Sequence, residues 1–233
     1  MSHFIVAVFH KPGQSIEDIL APFCEQDERY FQFERIDKPQ SQLEAEYKER
    51  KEEYKYTSFE QFMEKWYGAV QNIHGEWGYM CNPNAKWDWY QEGGRWDGFF
   101  HLKGGGETNE AEVSEIDWSH DPEQMRKARR FWDVYVDGAP LEEGEEEKDF
   151  DSFYKREYFI DQYGTKENYA QEVSSPFPWA FVTPIGEWIE KGEMGWFACS
   201  DASFDSRKNF SELCRKYIEE HPDLIVTAVD CHI

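Results

Sequence analysis

No apolar run in the 233-residue chain approaches the ~18 residues needed to span a bilayer, and Met1-Ser2-His3-Phe4 lacks the basic stretch that opens a secretory signal. These absences predict a cytoplasmic protein with no membrane partner. Basic charge is scarce, with 25 Lys and Arg against 48 Asp and Glu, a net of −23. So acidic a chain repels a phosphate backbone, so direct nucleic-acid binding is not expected. The five cysteines, Cys24, Cys81, Cys199, Cys214 and Cys231, are scattered and contain no Cys-x-x-Cys pair. That excludes a zinc ribbon and a disulfide framework and predicts reduced thiols. A Walker loop, a dinucleotide fingerprint, Gly-x-Ser-x-Gly and His-Glu-x-x-His are also missing. No cofactor and no metal are therefore expected.

Aromatic residues, at 18 %, are plentiful, which argues for a packed core over disorder. His3–His10 is rich in β-branched and aromatic residues and stops at Pro12-Gly13, the pattern of a buried strand. Ser15 caps a short helix whose apolar positions Ile16, Ile19, Leu20 and Phe23 share one face. Ser41 with Glu44, and Ser58 with Gln61, have capping-box spacing and predict helices near 42–55 and from 59 onward. Asp121-Pro122 opens another helix. Phe131–Val136 alternates as a strand would and ends at Asp137-Gly138. A hairpin is expected at Trp179–Ile189, then a helix carrying Phe210, Leu213, Cys214, Tyr217 and Ile218 that stops before Pro222. Leu224–Ile233 is a second apolar strand. The expected fold is α+β: one elaborated domain, 1–233, with an antiparallel, ferredoxin-like sheet whose first and last strands are central, and helices on one face. Residues 41–78 form a helical insertion and 104–173 an acidic one. The latter holds 20 acidic and 8 basic residues, about half of the excess charge, and its run Leu141–Asp151 is a solvated loop.

Tyr79–Phe100 is the segment suited to chemistry. Asn82-Pro83-Asn84 favours a turn. In an extended stretch Trp87 and Trp89 would share one face, with Asp88 and Tyr90 on the other. Gly93-Gly94 permits a sharp turn or close approach, and Arg95 follows as a planar five-donor fork able to grip a carboxylate or phosphate. The functional reading is an aromatic pocket built from Asn82, Asn84, Lys86, Trp87, Asp88, Trp89, Tyr90, Gly93, Gly94, Arg95 and Trp96. Indoles there stack on a planar group, Arg95 and Lys86 hold an anion, and Asp88 accepts from a donor edge. The plainer reading is a Trp-rich core tied by an Arg95–Asp88 or Arg95–Asp97 ion pair.

The Asn-Pro-Asn-x-Lys-Trp-Asp-Trp-Tyr … Gly-Gly-Arg-Trp centre, Thr183–Trp188 leading into Met194-Gly195-Trp196-Phe197, the terminal Val229-Asp230-Cys231-His232-Ile233, and Ile19–Phe23 together resemble a family of bacteriophage and bacterial mobile-element proteins. The resemblance covers both ends and the middle of the chain, not 41–78 or 104–175. The family has no assigned activity, so the resemblance implies a viral or mobile-element setting, with the host cytoplasm as location, and no reaction.

Other constellations are weaker. Asp230 and His232 would share a strand face, and antiparallel pairing of the terminal strands would bring His232 near His3, a set that suits zinc or non-haem iron, though its spacing matches no metal motif. Cys231 and His232 point to opposite faces and cannot form a thiol–imidazole pair. Arg126, Lys127, Arg129 and Arg130 form the one basic cluster, suited to a phosphate or to cancelling the carboxylates of 142–151. The function expected is a phage-type accessory protein that binds and sequesters a small planar anionic ligand such as a nucleotide. Two alternatives stand: an enzyme with a cleft of Asp88, Arg95, Asp230 and His232, and an acidic decoy that binds a protein partner through nucleic-acid mimicry.

Overall fold

The computed structural model describes residues 2–193 and 200–233. Met194-Gly195-Trp196-Phe197 and Cys199 lie outside the described residues. In the first part of the chain the elements are β1 (His3–His10), α1 (Ile16–Leu20), β2 (Gln32–Arg35), α2 (Gln40–Tyr54), α3 (Phe59–Trp66), β3 (Val70–Gln71) and β4 (Trp77–Cys81). Then come β5 (Trp89–Glu92), β6 (Phe100–His101), β7 (Glu107–Thr108), β8 (Glu110–Glu112), α4 (Pro122–Phe131), α5 (Arg156–Tyr163) and α6 (Lys166–Val173). The chain closes with β9 (Ala180–Val182), β10 (Trp188–Glu190), α7 (Phe204–Glu220) and β11 (Ile225–His232). They form two compact units, one of residues 1–19 and 89–233 and one of residues 20–88.

In the larger unit β1 and β11 pair antiparallel along their whole length, from His3 opposite His232 to His10 opposite Ile225. Both strands are buried almost throughout, as their continuous apolar runs require when both faces are covered. Residues 5, 7 and 9 of β1 and 226 and 228 of β11 face a core with Phe210, Cys214 and Ile218 of α7, Phe181 and Phe100. The sheet order is β10-β9-β1-β11-β5, with β8 also on β11. It is mostly antiparallel. The purely antiparallel expectation is corrected at one junction, because β9 runs parallel to β1; the long chain between the two strands supplies the crossover that parallel neighbours need.

Several local expectations are met. Ser15 Oγ accepts from the Asp18 N–H at 3.2 Å, Ser58 caps α3, and Asp121 caps α4 with Pro122 at its first turn. The hairpin at 180–190 and the helix ending before Pro222 are present. Two expectations are corrected. Ser41 is not a cap: α2 begins at Gln40 behind Pro39, whose fixed φ of −64° with extended ψ sets the helix entry without a side-chain bond. Phe131–Val136 is not a strand but the last residue of α4 and a wider helical turn, Trp132–Val136. Alternation over so short a run is compatible with either period. Here the i, i+4 pairs Phe131–Tyr135 and Trp132–Val136 put aromatic surface against Phe159 and Tyr169, giving α4–α6 an aromatic core of their own. Leu141–Asp151 is exposed apart from half-buried Glu145 and Phe150, and Glu145 is tied by Arg130.

The smaller unit is a three-stranded sheet, β2-β4-β3, whose core of Ile36, Leu43, Phe62, Met63 and Trp77 also draws on α2 and α3. Residues 41–78 thus supply strand as well as helix. Lys38 Nζ donates to Tyr67 Oη at 2.8 Å and to Glu46 at 3.0 Å, and Tyr67 donates to Glu46, locking α2 to the chain beyond α3. These bonds raise the Lys38 pKa and hold the Glu46 carboxyl low.

Candidate functional site

The Trp-rich segment divides at Asp88, the last residue of the smaller unit, where the backbone makes a local bend. On the smaller unit, Asn82 is 4 % exposed and uses its whole amide: Nδ2 donates to the carbonyls of Pro22 and Cys24, each at 2.8 Å, and Oδ1 accepts from the Asn84 N–H at 3.0 Å. Asn84 is exposed, and Lys86 and Asp88 are half-buried. The Lys86 N–H bonds the Phe23 carbonyl at 2.8 Å. Trp87 is buried, with Nε1 donating to the Leu20 carbonyl at 3.3 Å. The shared face expected for Trp87 and Trp89 is thereby corrected, since the bend interrupts the extended chain that the alternation assumed.

On the larger unit, β5 lies along the end of β11, with Trp89 opposite His232 and Tyr90 opposite Cys231. Trp89 is exposed and meets His3 edge-on at 5.6 Å. Burial and the nearby acids Glu17 and Glu92 push the Tyr90 hydroxyl pKa up. Gly93 and Gly94 then turn the chain off the sheet with φ of +67° and +56°. A Cβ on Gly94 would come within 2.5 Å of Asp230 Cβ, so only glycine fits. Asp230, 1 % exposed, accepts the Arg95 backbone N–H at 3.0 Å and His3 Nδ1–H at 2.8 Å. Beyond the turn, Asn109 pins the loop, donating to Asp97 at 2.7 Å and accepting from the Gly98 N–H at 2.6 Å.

This turn delivers Arg95 and Trp96 to a cleft of about 660 Å³, within the size range of small-molecule sites (about 300–1,000 Å³). Phe99, His101, Trp118 and His120 also line it. Arg95 is exposed and makes no ion pair among the described residues, so the Arg95–Asp88 and Arg95–Asp97 pairs do not form. Trp118 is anchored by its Nε1, which donates to the Val113 carbonyl at 3.1 Å, and its ring is stacked on Phe177. Hydrogen bonds from Ser119 hold the Asp117 carboxyl below its ordinary range. His120 Nδ1 lies 3.1 Å from Ser174 Oγ. Of the eleven residues of the expected pocket, Arg95 and Trp96 line this cleft. Nothing in the sequence marks Trp118, His120 or Ser174 as their companions, because long loops and helices separate them in the chain.

The remaining candidates are occupied elsewhere. Asp230 reaches Arg95 only through its backbone, and its carboxylate and His232 gather with His3 and Trp89 rather than with the guanidinium. Among the described residues no group of three or more His, Cys, Asp or Glu is arranged to hold a metal ion. Burial pushes the thiols of Cys214 and Cys231 far up, making them inert. In the basic cluster Lys127 pairs with Glu123, Arg129 with Glu167, and Arg130 with Glu145 and Glu142. No described helix is long and apolar enough to cross a membrane. Comparison with protein-family models, with curated proteins and with solved structures finds no match.

Proposed function

We propose that this chain is a phage-type accessory protein that binds, and in the host cytoplasm sequesters, a small planar anionic ligand of nucleotide type in the Arg95 cleft. The observation that carries the reading is the Arg95 guanidinium, exposed and without an ion pair among the described residues, lining a 660 Å³ cleft together with the indoles of Trp96 and Trp118. A guanidinium fork suits a phosphate, and an indole face suits a planar ring. Binding and sequestration need no catalytic group. Calorimetric titration with AMP, GMP, CMP and UMP tests it: at least one binds, and Arg95→Ala loses that binding while its far-UV spectrum is unchanged. Absence of binding by all four to the native chain overturns the reading.

One observation favours a second reading, a protein-binding surface on the acidic region. Phe153 is 96 % exposed and touches Tyr154, which stacks on Tyr158 at 4.1 Å, beside the carboxylates of 142–151. An exposed aromatic side chain that follows an acidic run in the chain suits a basic protein surface. Phe153→Ser, and separately Gln at Glu143, Glu146 and Glu147, then weaken capture of a basic partner; a partner held equally well by both variants excludes this surface.

A further inference from the structure

Ser174 is 3 % exposed, and its Oγ lies 2.7 Å from the Ala170 carbonyl oxygen. Two oxygens at that distance share a proton, and the only one present belongs to the hydroxyl, so Ser174 donates to Ala170. Its Oγ can then only accept from His120 Nδ1 at 3.1 Å, which puts the imidazole proton on Nδ1. In the neutral ring the other nitrogen, Nε2, keeps a lone pair, and it makes no hydrogen bond among the described residues.

Several other acceptors of the cleft are engaged or charged. Asp121 Oδ1 accepts from the N–H groups of Glu123 and Gln124, Asp117 Oδ1 accepts from the Ser119 N–H, and His101 Nδ1 lies 3.9 Å from Glu107. A carboxylate also repels an anionic ligand, whereas a neutral imidazole accepts a hydrogen bond without adding negative charge. We infer that His120, locked with its proton on Nδ1 by Ser174, is the acceptor through which the cleft selects planar anions carrying an N–H or amino donor on the ring edge. This rests on the reading of the cleft as a ligand site and adds to it a choice among ligands: Arg95 holds the anion, the indoles hold the ring, and His120 Nε2 reads its edge.

The first test needs no ligand. Long-range ¹⁵N–¹H spectra, recorded above the imidazole titration range, show His120 protonated on Nδ1, and Ser174→Ala returns it to the ordinary Nε2–H preference. An Nε2–H signal in the native chain overturns the inference by itself. The second test compares AMP with its N6,N6-dimethyl analogue and UMP with its N3-methyl analogue. The native chain binds the donor-bearing member of a pair about tenfold more tightly, the scale of one net hydrogen bond. His120→Phe levels the pair and His120→Gln, which retains an acceptor oxygen, restores part of the difference. If Arg95→Ala abolishes binding but His120→Phe leaves the preference intact, the ligand site stands and the role of His120 falls. If His120→Phe weakens both members of a pair equally, the imidazole contacts the anion instead and the inference is likewise overturned. If no monophosphate binds the native chain, both readings fall together.

Discussion

Asn82–Trp87 and Trp89–Trp96 are neighbouring stretches of one tryptophan-bearing segment, yet they meet different fates. In the first, the Asn82 amide and the Trp87 indole N–H are spent on backbone carbonyls, and Trp87 is buried. In the second, Trp89 remains exposed and Arg95 presents its guanidinium to a cleft, while the backbone beneath is tied by Asp230 and Asn109. The lesson is that Trp, Asn and Arg in one motif need not share one job. A polar side chain that meets all its hydrogen-bonding capacity within the fold contributes stability, and one held in place by its backbone alone leaves its side chain uncommitted by the fold.

Three substitutions break or sharpen that contrast. Trp87→Ala empties a buried site and costs about 3–5 kcal/mol in urea unfolding, with nucleotide affinity of the folded protein unchanged. Gly94→Ala acts on both sides of the contrast: the positive φ costs about 1–2 kcal/mol, the clash with Asp230 adds to it, and the displaced Arg95 weakens binding, which denaturation and calorimetry on one preparation will separate. Arg95→Ala moves stability by no more than about 0.5 kcal/mol, as for an exposed residue without partners, and removes ligand binding. An equally large loss of stability would assign Arg95 to the same structural class as Trp87.

The smallest effect is expected in the acidic region. Hydrogen bonds from Arg130 and the Glu142 backbone bring the Glu145 pKa down from 4.5 to about 2. A carboxylate depressed on folding contributes stability that is present above its unfolded pKa and lost as the pH falls toward the folded value. Glu145→Gln therefore lowers the melting temperature modestly at neutral pH and flattens its decline between those two pKa values, so that the variant and the native chain converge as the pH approaches the folded value.

The features legible in the sequence are those set by near neighbours. Ser15, Ser58 and Asp121 cap helices because a short polar side chain reaches N–H groups two or three residues ahead, wherever the helix later packs. The terminal strands are legible because their runs of Val, Ile, Phe and Ala must be covered on both faces, and only the middle of a sheet does that. Gly93-Gly94 is legible as a turn for a similar reason, though not the Asp230 carboxylate that demands it.

The rest was decided by partners distant in the chain. Alternation in Phe131–Val136 gave way to a helical turn because Phe159 and Tyr169 offered aromatic surface to one helix face. Trp87 and Trp89 parted because the chain bends between them at Asp88. Arg95 became a cleft residue because Asp230, near the opposite end of the chain, holds its N–H, and His120 acquired its tautomer from a serine at the end of α6. Composition and spacing determine which side chains are capable of such chemistry; only the packing of remote segments determines which of their hydrogen bonds are already spent.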